Sequence, residues 1–132
     1  MDETQRWAFR SFVSEGRESA VHSWYQGQTK KVRAVFDTRL KYLRDWPKWD
    51  MPRTRVLEGE CDGLIEIRFF AENVQHRPLG FYGPLKLEFT IAFFATERGG
   101  KFYPRNSCGT ALGRKSIVYG NREKCSCEWK VE

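Results

Sequence analysis

The segment LIEIRFFAENVQHRPLGFYGP, Leu64 to Pro84, carries two arginines, Arg68 and Arg77, inside runs that otherwise alternate as sheet. An arginine in a half-buried strand is either ion-paired to a carboxylate or a fixed anion-binding group. Its guanidinium stays charged and presents a planar fork that fits a carboxylate or a phosphate equally well. For Arg68 the pairing alternative has partners to hand in Glu66, Glu72 and Glu88. His76 adjoins Arg77 and titrates near neutral pH, as a proton-transfer group requires, although strand alternation directs it to the opposite face. Further along, Arg98, Arg105, Arg114 and Lys115 surround the last turn and the start of the last helix, an arrangement suited to contact with an RNA backbone and equally to plain surface charge. Phe81, Tyr82, Phe102 and Tyr103 lie close enough to this region to stack on unpaired bases, with core or edge packing as the alternative for Phe81.

The elements that must position these residues follow from periodicity. RWAFRSFV, Arg6 to Val13, alternates with period two and opens the chain as a strand. From Ala20 the apolar positions Val21, Trp24, Tyr25, Val32, Val35, Phe36, Leu40 and Leu43 recur at helical spacing. Gly27 splits this stretch into a short helix and a longer one, Thr29 caps the second, and Pro47 and Pro52 close it. Lys30, Lys31, Arg33, Arg39 and Lys41 read as its solvated face. After the loop RVLEGECDG, one strand holds Ile65, Ile67 and Phe69 on one side and Leu64, Glu66, Arg68 and Phe70 on the other. The AENV turn leads to a second strand, Gln75 to Tyr82, with Arg77, Leu79 and Phe81 on one face; Pro78 lacks a donor and places this strand at an edge or a bulge. LEFTIAFFA, Leu87 to Ala95, is the strongest strand, and ERGGK is the turn that ends it. Asn106 or Ser107 caps a last helix through Ala111, Leu112, Ile117 and Val118. The pattern is α+β: an antiparallel sheet with helices against one face.

Composition sets the outer bounds. The chain has 132 residues, with 40% hydrophobic and 15% aromatic content, enough for one hydrophobic core and too much for a disordered chain. Lys and Arg number 23 against 17 Asp and Glu, a net +6 that favours polyanionic partners. No secretory signal or membrane-length apolar run is visible, so a cytoplasmic location is expected, with no membrane partner. Cys61, Cys108, Cys125 and Cys127 lack the spacing of a structural zinc site; free, partly buried thiols are expected, and no metal or other cofactor.

Four stretches, EGRESAVHSWYQGQTKKVRAVFDTRLKYL, GLIEIRF, HRPLGFYG and FTIAFFATERGGKFYPRNSCGTALGRK, resemble in order and spacing the RelE/HigB superfamily of toxins from type II toxin–antitoxin pairs, in particular its phage-associated HigB-like branch. The resemblance implies a RelE-like fold, with an antiparallel β-sheet, N-terminal helices packed on one face and a C-terminal helix. It makes residues 1–132 a single toxin domain and leaves 121–132, outside the matched stretches, as a flexible tail. It also implies a cytoplasmic, metal-independent endoribonuclease that cuts mRNA on the ribosome, inhibits translation, and is neutralised by a cognate antitoxin of helix-turn-helix type. In such cleavage the 2′-hydroxyl attacks the adjacent phosphorus, so fixed cations and a proton-moving group are needed.

Carried over residue by residue, Arg77 falls at the family's strand arginine that contacts the scissile phosphate, and Arg68 at an arginine that is partly structural in relatives. Lys101 in GGKFYP falls at the functional lysine before the terminal helix. The catalytic set is thus Arg77, Arg68, Lys101 and His76, and the RNA-binding set Arg98, Arg105, Arg114, Lys115 and Tyr103. The chain departs from RelE in having Leu64 and Glu66 where lysines precede the arginine, and Thr96-Glu97 where basic residues end the last strand. A RelE-style base is missing, which makes a non-catalytic RNA- or protein-binding module on the same fold the alternative.

Overall fold

Two apolar stripes separated by strand alternation are buried on the two faces of one sheet. The computed structural model describes residues 6–14 and 18–131, and all that follows concerns these. The strands are β1 (Ala8–Phe12), β2 (Thr54–Val56), β3 (Ile65–Ile67), β4 (Phe69–Ala71), β5 (Val74–Tyr82), β6 (Glu88–Arg98), β7 (Lys101–Tyr103) and β8 (Ser126–Trp129). They form one sheet in the order β2-β3-β5-β6-β1-β8, with β4 also on β5 and β7 also on β6. The helices are α1 (Ala20–Gln26), α2 (Lys30–Arg44), α3 (Ser107–Gly120) and α4 (Arg122–Cys125).

The helix pair forms as its spacing predicts. Ser19 caps α1 by accepting from the His22 amide, Gly27 ends it, and Thr29 caps α2 by accepting from the Val32 amide. Val21, Val32, Phe36, Leu40 and Leu43 then pack on Phe9, Ile65, Ile67, Phe69, Phe89 and Ile91. On the other face Leu64, Leu79, Phe81, Ala92 and Ala95 pack with Ala111 and Val118 of α3. Helices therefore cover both faces, where the sequence pattern expected one. A strand buried on both faces shows no polar alternation, as the unbroken buried run from His76 to Phe81 in β5 illustrates.

The sheet is antiparallel-rich but mixed. β1 runs parallel to β6, in the register Phe9↔Phe89 and Ser11↔Ile91. The crossover through α1 and α2 carries the chain to the far side of the sheet, so β6 returns alongside β1 in the same direction. Pro78 lies in an inner strand, not at an edge. Its missing donor coincides with the break between β3 and β4 at Arg68, and the ladder to β6 skips a residue just after it, from Leu79↔Phe93 to Gly80↔Ile91. This bulge leaves Ala92 as the extra residue and changes the phase of β6, so Phe89 and Ile91 face one core while Ala92 and Ala95 face the other. Gly80 is required there, because a Cβ would meet the Thr90 carbonyl and lie 2.7 Å from the Phe89 ring.

The segment after Gly120, expected to be a flexible tail, folds back on the sheet. β8 pairs antiparallel with β1, and Arg122 grips Glu88 with two hydrogen bonds of 2.6 and 2.9 Å. The fork geometry and the near-complete burial of Glu88 make this a firm anchor. Burial would raise the Glu88 pKa, but the Arg122 fork, the Leu85 amide and the Arg10 charge together hold it below the ordinary carboxylate value.

The expectation of four free thiols is also corrected. Cys61, in a 3-10 turn after β2, is disulfide-bonded to Cys108 in the first turn of α3, while Cys125 and Cys127 are free. The bond joins positions 47 apart in sequence and fastens the start of α3 to the sheet's second face. Replacing both cysteines, Cys61→Ser with Cys108→Ser, is expected to lower the unfolding free energy by about 2–4 kcal/mol. The urea midpoint measures this, and an unmoved midpoint would show that the bond restrains nothing.

Candidate functional site

Glu66 is the most buried charged residue, 1% exposed, and arginines surround it. Arg68 donates to it directly through Nη1, and Arg77 Nε and Arg55 Nε each lie 3.9 Å from its Oε2. The pairs Phe69↔His76 and Glu66↔Leu79 keep one register across the β3–β4 break, which brings Arg68 opposite Arg77 on that face. A carboxylate this deep is tolerable only when ion-paired and hydrogen-bonded.

Arg77 is the other half of this network. Its Nε donates to Glu97 Oε1 at 2.7 Å, Nη1 to the His76 carbonyl at 3.0 Å and Nη2 to Gln75 Oε1 at 3.1 Å. At 5% exposure it is an ion-paired floor residue, with its donors already engaged by the protein's own acceptors. Arg68 keeps 22% of its side chain exposed, so its free donors reach the surface.

Above this floor lies a cleft of about 250 Å³ lined by Arg39, Arg68, Arg77, Gln75 and the rings of Phe69 and Phe70. Phe70 and Gln75 also line a neighbouring cleft of about 490 Å³ that reaches Glu97 and Arg98. Arg39 was not among the sequence candidates; it reads as part of a solvated helix face. Its Nε is buried and has no hydrogen-bond partner among the described residues. Burial and the nearby Arg53 charge both pull its pKa below the ordinary guanidinium value. The signal was in the spacing: Arg39 stands seven residues after Val32, three after Phe36 and four before Leu43, on the apolar stripe itself.

The other candidates divide into two groups. Arg98, Lys101, Tyr103 and Arg105 come together on the β6–β7 hairpin, whose turn uses Gly99 and Gly100 at φ 58° and 77°. Arg98 and Lys101 are a cross-strand pair, and the guanidiniums of Arg98 and Arg105 lie 4.6 and 5.8 Å from the Tyr103 ring centre. Among the described residues Arg98, Lys101 and Arg105 form no ion pair.

His76, Arg114 and Lys115 do not join them. His76 is on the opposite face from Arg77, 6% exposed, stacked on Phe69 at 4.8 Å and edge-on to Trp24 at 6.0 Å. Burial lowers its pKa, and the Arg77 charge adds to this against an opposing hydrogen bond with the Ala71 backbone. A buried, neutral imidazole behind the sheet is no base for a substrate in front of it. Arg114 donates to the Ala92 carbonyl at 2.8 Å over the Phe12 ring, and Lys115 donates to the Gly63 carbonyl at 3.0 Å. Both fasten α3 to its surroundings.

No protein-family model, curated protein or solved structure matches the chain. The chemistry must therefore be argued from the cleft.

Two outcomes follow from this geometry. Glu66→Gln leaves Arg68 and Arg77 short of a counter-charge and is expected to destabilise the fold by about 3–5 kcal/mol in urea unfolding; a change under about 1 kcal/mol would mean that the arginines re-pair at no cost. For His76 the folded pKa lies below the unfolded value, so the unfolded chain takes up a proton first as pH falls. The stability it contributes is complete above about pH 6.5 and is lost as pH drops toward the folded pKa. His76→Phe should keep the stacking and flatten that loss, seen as a smaller difference in urea midpoint between pH 7.5 and 5.5.

Proposed function

We propose that the protein acts on RNA as the toxin of a type II toxin–antitoxin pair, in the RelE/HigB manner, and takes the RNA backbone along the arginine cleft and the β6–β7 hairpin. The observation that carries this reading is the excess of fixed cation in the cleft: Arg39, Arg68 and Arg77 line it, with only Glu66 and Glu97 against them. The second cleft reaches Arg98, beside which Lys101, Tyr103 and Arg105 gather at the hairpin end of the sheet on its His76 side, so a strand would pass around that end from one group to the other, over cations and aromatics of the kind that hold single-stranded RNA. The succession of strand, helix pair, antiparallel strands and final helix supports a RelE-like fold.

In this reading the guanidiniums stabilise the charge that builds on phosphorus during attack by the 2′-hydroxyl. His76 is withdrawn from proton transfer, which leaves Lys101 and Tyr103 as the sequence candidates still at the surface. A helix-turn-helix antitoxin covering the cleft, ribosome-dependent cutting and a cytoplasmic location belong to the same proposal.

The engagement of Arg77 by Glu97 favours a second reading, a non-catalytic RNA- or protein-binding module on the same fold. Controlled induction in a bacterial host, with primer-extension mapping of mRNA, separates the two. The toxin reading expects growth arrest with discrete cuts for the wild type, and neither for a stably expressed Arg98→Ala, Lys101→Ala, Arg105→Ala triple variant. A wild type that binds RNA in a salt-dependent way, yet neither slows growth nor cuts, establishes the binding module instead.

A further inference from the structure

Phe70 is 60% exposed, the most exposed phenylalanine of the described core strands, and stands between the two clefts. On one side are the guanidiniums of Arg39 and Arg68, and on the other Arg98. Val74, 36% exposed, extends the apolar ledge beside it. The ring is a flat apolar platform open to solvent beside both clefts.

Arg39 presents the complementary charge. Its Nε is shielded from water without a hydrogen-bond partner among the described residues and the Arg53 charge lies near it, while the half-buried side chain reaches the cleft. Arg68 has one nitrogen on Glu66, and its other donors remain available on the cleft side. Glu97 belongs to Arg77 at 2.7 Å and Glu66 to Arg68, so neither carboxylate is placed to satisfy Arg39. Arg39 and Arg68 line the same cleft, so an anion that enters it faces two guanidiniums at once.

We infer that Arg39, Arg68 and Phe70 form a nucleotide subsite for single-stranded RNA, with a backbone phosphate held between Arg39 and Arg68 and the adjacent base laid on the Phe70 ring. The arrangement selects an unpaired strand, because the bases of a duplex are stacked inside it and cannot reach an exposed ring. The subsite rests on the RNA reading above and supplies its substrate class: one flexible strand, read by stacking and charge with little preference among bases.

The test uses the purified full chain and a fluorescein-labelled single-stranded RNA 12-mer of mixed sequence, followed by anisotropy over a range of salt concentrations, with its duplex as comparison. Arg39→Met keeps the buried methylenes of the α2 stripe and is expected to weaken binding about tenfold and reduce the salt slope by about one. Phe70→Ala, at an exposed position, is expected to weaken binding at least about fivefold with the salt slope unchanged, and Phe70→Trp to restore it. The duplex should bind more weakly than the single strand and be indifferent to Phe70. Thermal melts confirm that each variant is folded.

If the wild type binds the strand and only the triple variant of Arg98, Lys101 and Arg105 loses affinity, the subsite is wrong while the RNA reading stands. If the wild type binds no free strand, the subsite falls, and the induction experiment alone decides the toxin reading. If instead an acidic peptide binds with dependence on Arg39 and Phe70, the cleft belongs to a protein partner and the inference is overturned.

Discussion

A buried carboxylate organises this sheet. Glu66 faces inward from a strand of three residues and draws Arg68, Arg77 and Arg55 toward one point. Without those arginines its burial would be prohibitive; without it, Arg68 would lose its carboxylate and Arg77 would be left with Glu97 alone. The hydrophobic packing of α3 stops where this polar cluster begins, so one face of the sheet carries a packed half and a charged half. The clefts open beside the charged half, and α2 borders the smaller one through Arg39.

That arrangement resolves the ambiguity of an arginine in a strand in an unexpected way. Arg77, placed by resemblance at the phosphate contact, is the better buried and more fully paired of the two. Arg68, the more structural by the same comparison, keeps donors at the surface. A fixed guanidinium below the cleft still contributes its field to whatever anion lies above it, while contact falls to the residues at the rim. The positions are thus shared between support and binding, and the partner carboxylates decide which does which.

Local features were readable from the residues alone. The helix pair, its Thr29 cap and Gly27 break, the alternation of Leu64 to Phe70 and the hairpin at Gly99-Gly100 each depend on neighbours in sequence. What escaped depends on distance along the chain. Cys61 and Cys108 meet because α3 returns to the second face, and β8 docks through its ladder to β1, the Arg10 bonds to Ser126 and the reach of Arg122 to Glu88, 34 positions earlier. Arg39 was hidden differently: its spacing put it on the apolar stripe, but its charge suggested water, and charge was the wrong guide where a stripe runs past the end of its hydrophobic partner.

The outer strands of the sheet bear on how the molecule behaves among its own copies. A row of unpaired backbone amides invites another chain to extend the sheet. Here the margins are β2, three residues long with Arg55 at its centre, and β8, four residues with Glu128 opposite Arg10 on its neighbour, while β4 and β7, each paired on one side among the described residues, are three residues long. Had the chain beyond Gly120 stayed loose, β1 with its buried Phe9 and Phe12 would itself have been the margin. The folded-back segment therefore acts as a selvedge, finishing the sheet with a short, charged border in place of β1.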